Sequence, residues 1–265
     1  MSLAADTYHL FRRAIKKVLR NPILLFFSLL QPIIFLVLFT QLFSKFASVP
    51  GLFPPGLTYL EYATPGILLQ NGFSSALQSG TSMVDELNSG MLEKMLVTPV
   101  NRSAILLGRL LSDAFRVVVQ SVIILVLAYI LGFNVAAGLG GVVSMLVVIA
   151  FFGLAWSGIS LAIGLRTRSA ETVFGIGGFL TFPLLFMSDA LVPTSAMPSW
   201  MASISGVNPI SFAVDAVRSV SIPSTALSTL SLSLPGDVAS ALGYIAAIAI
   251  VTLGATLYLF RKVVS

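Results

Sequence analysis

Three groups of residues carry the polar chemistry of this chain. Arg102, Arg109, Asp113 and Arg116 fall on one helical stripe, at offsets of 7, 11 and 14 from the first. That spacing lets Arg109 pair with Asp113 and Asp113 with Arg116 along a helix. Such a stripe makes an inner gate or lines a cytoplasmic cavity; its alternative is a set of charges snorkelling to a membrane interface. Gln70, Ser74 and Gln78 line a second edge, with Asn71, Ser75 and Ser79 beside them. Amides and hydroxyls in an apolar run must find partners, so these face other helices or a wet path. They are either helix–helix contacts or the wall of a substrate pathway. The third group is the amphipathic stretch Gly90, Met91, Leu92, Glu93, Lys94, Met95 and Leu96. Ser89 reads as its N-cap and Pro99 as its stop. Met91, Leu92, Met95 and Leu96 share one side. Roughly two turns of helix do not fold alone in water, so this one lies on something. It is either a contact for a soluble partner or a loop helix on the membrane surface.

Chemistry of other kinds is missing from the sequence. There is no cysteine and the one histidine is His9, which leaves no thiol nucleophile and no multi-histidine metal centre. No Gly-Lys dipeptide occurs, which removes the Walker phosphate loop, and no Gly-x-Ser-x-Gly elbow occurs either. A lipid-modifying enzyme would need more than a lone His9. The chain is expected not to be an enzyme and to hold no cofactor or metal.

The polar groups need elements to position them. Hydrophobic residues make up 57% of the 265 and charged residues only 9%, against about 25% charged in soluble domains. The chain is therefore an integral membrane protein. At about 20 apolar residues per span, the length accommodates about six helices. They fall near Ile23–Phe43, Tyr62–Val84, Ala104–Phe133, Gly141–Leu165, Thr172–Leu191 and Ala239–Phe260. Nothing alternates with period two, so helices are expected rather than a barrel. Ahead of them, Asp6 to Asn21 reads as an interfacial helix. Arg12, Arg13, Lys16, Lys17 and Arg20 cluster on one face of it; Phe11, Ala14, Ile15 and Val18 lie opposite. The fold class is all-α membrane protein, with the elbow helix over 1–22 and the six-span region over 23–265.

With the N-terminus inside, the 15 basic residues divide 13 to 2, only Lys45 and Arg218 lying outside. Both ends and the 89–98 helix are then cytoplasmic. The net charge of +5 points to anionic lipid headgroups and inner loops rather than nucleic acid. Outside, Val192 to Val238 contains a short helix from Ile210 to Val220, with Asn208 as cap and Pro209 in its first position. Its apolar side and Trp200 suggest re-entrant helices over about 193–222. Gly153, Ser157, Gly158 and Ala162 suggest close helix packing. Charges deep in the spans are expected to be nearly absent, which disfavours an ion-coupled transporter or channel.

In order, these pieces resemble the permease subunits of bacterial ATP-binding-cassette (ABC) exporters of the type-2 kind, as in daunorubicin-resistance and nodulation-factor export. The basic elbow helix precedes the first span. Ser89-Gly-Met-Leu-Glu-Lys-Met-Leu-Val-Thr-Pro-Val stands where that family has its coupling helix. Pro198-Ser-Trp200 and Val207-Asn-Pro-Ile-Ser-Phe212, followed by Asp215 and Arg218, resemble its extracellular region. The resemblance implies an exporter moving an amphipathic drug or lipid-like cargo out of the cell by alternating access. A separate cytoplasmic ATPase that uses ATP and Mg would dock on Gly90 to Leu96. Met91, Leu92, Met95 and Leu96 would seat in its cleft, with Glu93 and Lys94 setting register. A second permease subunit, the same chain or a related one, would complete the conduit in a bacterial inner membrane.

Overall fold

A computed structural model of the chain describes residues 3–20, 22–45, 56–97, 101–227, 230 and 238–264. Among them there is no strand. The helices are α1 (Leu3–Leu19), α2 (Pro22–Leu42), α3 (Tyr59–Asn88), α4 (Met91–Leu96), α5 (Arg102–Ile130), α6 (Gly138–Thr167), α7 (Ala170–Phe186), α8 (Ser199–Ser205), α9 (Pro209–Ser221), α10 (Ser224–Leu227) and α11 (Val238–Val264).

Four of them, α2, α5, α6 and α11, are long and apolar enough to cross a membrane. Their outward faces carry large apolar side chains such as Phe26, Phe27, Val126, Tyr129, Leu139, Ile250 and Val251. With no water to bury them from, these faces suit hydrocarbon. α3 is as long as α6 but more polar, and α7 is 17 residues long. The chain is a multi-pass, all-helical membrane protein.

α3 sits at the centre. It packs against α2, α5, α6, α7 and α9, and 20 of its 30 residues are buried. A capping box starts it: Thr58 Oγ1 accepts from the Glu61 backbone N–H, and Glu61 Oε2 accepts from Thr58 N–H at 2.8 Å. Phe73 stands edge-on to Phe152 and Trp156 of α6, with centroids 4.9 and 4.6 Å apart. Gly80 lets the two helices touch: a Cβ there would meet the Ser160 carbonyl oxygen at 2.6 Å. The small residues of α6 pack as expected. Gly153 faces Val117 of α5, and the Gly158 carbonyl accepts from Thr256 of α11 at 2.6 Å.

Several boundaries differ from the sequence reading. α7 ends at Phe186, not near Leu191, because Met187–Leu191 turns away, held by Ser188 Oγ bonded to the Leu185 carbonyl at 2.6 Å. α9 matches its expected span, with Asn208 Oδ1 accepting from Ile210 N–H at 3.0 Å and Pro209 leading the helix. α1 forms as expected, with Arg12, Arg13, Lys16 and Arg20 exposed. Its other side lies on α5, where Leu10 and Thr7 cross Gly108 and Phe11 meets Phe115 edge-on.

Candidate functional site

The α4 helix is built by the way α3 stops. Ser89 is the C-cap of α3, its N–H bonded to the Asp85 carbonyl at 2.9 Å, and not the expected N-cap of α4. Gly90 takes that place with φ +68°, a left-handed conformation that only glycine adopts without a steric cost. The chain reverses there and α4 folds back under the ends of α3 and α5. Pro99, the expected stop, lies outside the described residues.

Only part of the apolar face of α4 is free. Leu92 is 2% exposed and belongs to a cluster with Met83, Ile105, Leu106, Leu110, Leu161, Leu165 and Phe260. It is thus part of the core of this chain, a correction to the expectation that it faces a partner. A helix this short needs an anchor, and Leu92 is that anchor. Met91 and Met95 are half-buried, and Met95 accepts from Arg13 Nη1 of α1 at 3.3 Å. Glu93 and Lys94 are exposed, and Val97, just beyond the helix, is 86% exposed. α1 closes the other side, where the Asp6 carboxylate accepts from Asn101 N–H at 3.2 Å. Phe260 brings the C-terminal end of α11 to the same end of the bundle as α1 and α4.

Above α4 lies a cleft of about 410 Å³, lined by Arg13, Gln78, Asp85, Glu86, Met95, Arg109, Asp113 and Arg116, among others. Arg109 does not pair with Asp113, as the stripe suggested. It reaches across to α3, with Nη1 2.6 Å from Glu86 Oε2 and Nη2 bonded to the Ser79 carbonyl at 3.0 Å. Asp113 accepts from Ser79 Oγ and pairs with Arg116 at 3.0 Å. Arg116 also donates to the Ser75 carbonyl at 2.9 Å, and Ser75 Oγ donates to Gln120 Oε1 at 3.0 Å. Gln120 Nε2 in turn donates to Ser28 Oγ of α2 at 2.7 Å. For Arg109 the tertiary partners outcompete the local i,i+4 pairing, which is worth only a few tenths of a kcal/mol on an exposed helix. Arg102 stands at the first position of α5.

The structure brings Gln78, Ser75 and Ser79 together with the arginine stripe and leaves Gln70, Asn71 and Ser74 elsewhere. Asn71 is buried and donates to Ser121 of α5 at 3.5 Å. Ser74 bonds the Gln70 carbonyl at 3.2 Å, and Gln70 Oε1 is buried with no donor against it.

A second polar cluster lies at the far end of α3, buried between α9 and the turn after α7 and outside the four helices long enough to cross a membrane. Arg218 of α9, counted above as an outer-loop charge, is 1% exposed. Its Nη1 lies 2.7 Å from Asp189 Oδ2 and 3.4 Å from Asp215 Oδ1. Nη2 donates to the carbonyls of Asp189 at 2.7 Å and of Ala190 and Tyr62 at 3.3 Å. The guanidinium carbon sits 3.8 Å from the centroid of the Tyr62 ring, a cation–π arrangement. Tyr62 Oη donates to the Asp189 carbonyl at 2.7 Å, and Tyr59 Oη to the Leu191 carbonyl at 3.0 Å. The signal for this knot was present as Asp215 and Arg218, one turn apart on the same side of an amphipathic helix, without a visible partner.

An apolar multi-pass bundle, a basic helix at its start and a short helix hung from a central polar one find their match in one family, ABC-2 type transporter, over residues 5–222. The chain belongs to that family. It is 34% identical to the daunorubicin resistance ABC transporter permease protein DrrB1 of Streptomyces coeruleorubidus, over 82% of this chain and 75% of that protein. It is 30% identical to the putative transport permease ycf38 of Cyanophora paradoxa, over 80% and 73% of the two chains. It is 25% identical to the probable doxorubicin resistance ABC transporter permease protein DrrC of Mycobacterium tuberculosis, over 85% and 80%. The chain is thus an ABC-2 permease, the membrane component of an ABC transporter, as the resemblance implied.

Proposed function

We propose that this ABC-2 permease is the membrane-embedded half of an ATP-driven exporter that carries an amphipathic drug or lipid-like cargo out of the cell by alternating access. In this reading α2, α3, α5, α6, α7 and α11 are the six spans in a bacterial inner membrane, α1 is the elbow helix, and α8 and α9 are re-entrant on the outer side. A second permease subunit completes the conduit. A separate ATPase binds and hydrolyses ATP with Mg and docks on α4. The observation that carries the proposal is the build of α4. It is clamped to the inner ends of α3 and α5 through Leu92 and shows Glu93, Lys94 and Val97 to the aqueous side. A push on that surface is passed to the polar cleft above it. The basic residues support the orientation: Arg12, Arg13, Lys16, Lys94, Arg261 and Lys262 belong to the elements at this end.

The test uses the absence of cysteine. Val97→Cys in intact cells should react with a membrane-impermeant maleimide only after the cytoplasmic face is opened. Lys94→Glu combined with Val97→Asp should insert normally and lose co-purification with the ATPase. Labelling from outside, or undiminished capture by the double variant, would sink the docking assignment. The alternative, an ion-coupled transporter or channel, gains one observation from the buried Asp189–Asp215–Arg218 group. Cargo flux that persists after the ATPase is deleted would favour it.

A further inference from the structure

The outward faces of the long apolar helices suit hydrocarbon except at one place. α5 turns out Leu111, Phe115, Val122 and Val126, and α11 turns out Ile250 and Val251. α2 turns out Gln31. This residue stands near the middle of the 21-residue helix, inside its apolar stretch Leu25–Leu42. At about 1.5 Å per residue it is about 15 Å from either end, which is the mid-depth of a bilayer core about 30 Å thick. Its amide has no hydrogen-bond partner among the described residues. The contrast is Gln120 in the middle of α5, which is buried and bonded to Ser28 and Ser75. Gln41 is exposed too, but in the last turn of α2, and Arg166, Arg261 and Lys262 are exposed at helix ends, where water reaches. An amide facing hydrocarbon at mid-depth forfeits both donor and acceptor bonds. This face of α2 is therefore a contact face.

Gln31 belongs to a row. Phe27, Gln31, Ile34 and Leu38 are all exposed and follow one another by four, three and four residues. That is the seven-residue repeat of a helix–helix seam, with one polar member among apolar ones. Leu29, Pro32 and Leu36 occupy the opposite side of α2 and are buried, Leu29 and Leu36 in the main core. α2 packs on α3 and α5 with that inner side and leaves the row uncovered.

We propose that this row is a contact with a second copy of this chain, α2 against α2 across a two-fold axis, with the two Gln31 amides bonded to each other in the middle of the membrane. The inference rests on the second permease subunit proposed above and names the surface where it sits. Two copies share one topology, so their axis runs along the membrane normal, and a residue on that axis meets its own depth in the other copy. A carboxamide is both donor and acceptor, so Gln31 is satisfied by itself. No other outward face of the chain would serve. In the central turns of α5, α6, α7 and α11 the exposed side chains include no amide and no charge. A single polar residue in such a seam also fixes register, because any slip takes the amide out of reach of its mate.

The chain has no cysteine, so a single introduced one can form a disulfide only with a second copy. Ile34→Cys and Leu38→Cys, oxidised in membranes with copper phenanthroline, should give cross-linked dimers. Phe26→Cys and Val37→Cys, which are exposed on the flank of the row, should not. Gln31→Leu suits hydrocarbon and should insert and fold. Added to Leu38→Cys, it should lower the cross-linked fraction. In detergent it should raise the dissociation constant of the dimer by about threefold to thirtyfold, the range for an interhelical side-chain hydrogen bond in a membrane. Equal cross-linking on row and flank, an unchanged dissociation constant in Gln31→Leu, or reaction of Ile34→Cys with a bulky polar maleimide in place of cross-linking would each overturn the contact. The last result would mark a water-lined path instead. The measurement uses neither ATPase nor cargo. Lost cross-links with ATPase capture intact would sink this contact alone, and lost capture with cross-links intact would sink the exporter reading alone.

Discussion

Leu92→Ala separates the anchor of α4 from its outward surface. Leu92 shares one buried apolar cluster with Met83 of α3, Leu106 and Leu110 of α5, Leu165 of α6 and Phe260 of α11. Truncating a fully buried leucine costs about 2–5 kcal/mol. In most proteins that loss lowers global stability. Here α4 is six residues hung between Gly90 and Val97, and it has few other apolar contacts of its own. The loss therefore falls on local undocking of α4 rather than on unfolding of the bundle. A cost of 2 kcal/mol multiplies the population of the undocked state by about thirtyfold, since about 1.4 kcal/mol is a factor of ten. Amide hydrogen exchange read by mass spectrometry should show the peptide over 91–96 exchanging at least about thirtyfold faster. The peptides of α5 and α6 should be unchanged. Val97→Ala, at an 86% exposed position, should leave exchange as it is. Equal protection in Leu92→Ala and wild type would refute the anchoring argument. Uniform acceleration across α3, α5 and α6 would show instead that α4 belongs to the global folding unit.

Three further outcomes follow from the packing. Gly90→Ala should loosen α4 by about 1 kcal/mol, because an L-residue pays roughly that for the left-handed conformation, and the same exchange measurement would read it. Gly80→Leu should lower the thermal midpoint substantially, since its first carbon already meets the backbone of Ser160; an unchanged midpoint would mean that α3 and α6 part easily. Asp113→Asn should cost more than Glu86→Gln. The first strips a buried Arg116 of its counter-charge, a class of change worth about 3–5 kcal/mol, whereas the Arg109–Glu86 pair is partly open to solvent. Equal midpoints for these two variants would argue against that difference in burial.

The helices were legible because their signals are local. Apolar runs located the long helices, and Asn208-Pro209 marked the start of α9 through cap chemistry that any sequence shows. Arginine partners were not legible, because they depend on which helices come together. The stripe Arg109–Asp113–Arg116 predicts two pairings, and one forms; Glu86 of α3 takes Arg109 instead. The same reason hid Arg218. Counting basic residues by side treats each as solvated, and nothing local to Asp215 and Arg218 reveals that Asp189 and Tyr62 lie over them. Leu92 shows the converse failure: periodicity grouped it with Met91 and Met95 but could not say whether the apolar side faces inward or toward a partner.

α3 explains how a polar helix can be the axis of so apolar a protein. Hydrocarbon penalises an exposed amide or hydroxyl, but α3 is wrapped by five neighbours, and its polar groups meet theirs: Asn71 with Ser121, Ser75 with Gln120, Ser79 with Asp113. Directional bonds of this kind fix the rotation and height of α3 relative to α5 more tightly than leucine packing would. At about 1.5 Å per residue its 30 residues reach about 45 Å, from the Arg218 knot at one end to Gly90 and α4 at the other. A displacement of α4 cannot be absorbed within α3, which is continuous from Tyr59 to Asn88. It must either break the Arg109 and Arg116 bonds beside the cleft or carry the Tyr62 end against Asp189 and Arg218. The two polar clusters are therefore the places where motion of this helix is resisted, and substitutions there should change coupling between the ends more than substitutions on the apolar faces of α2 or α11.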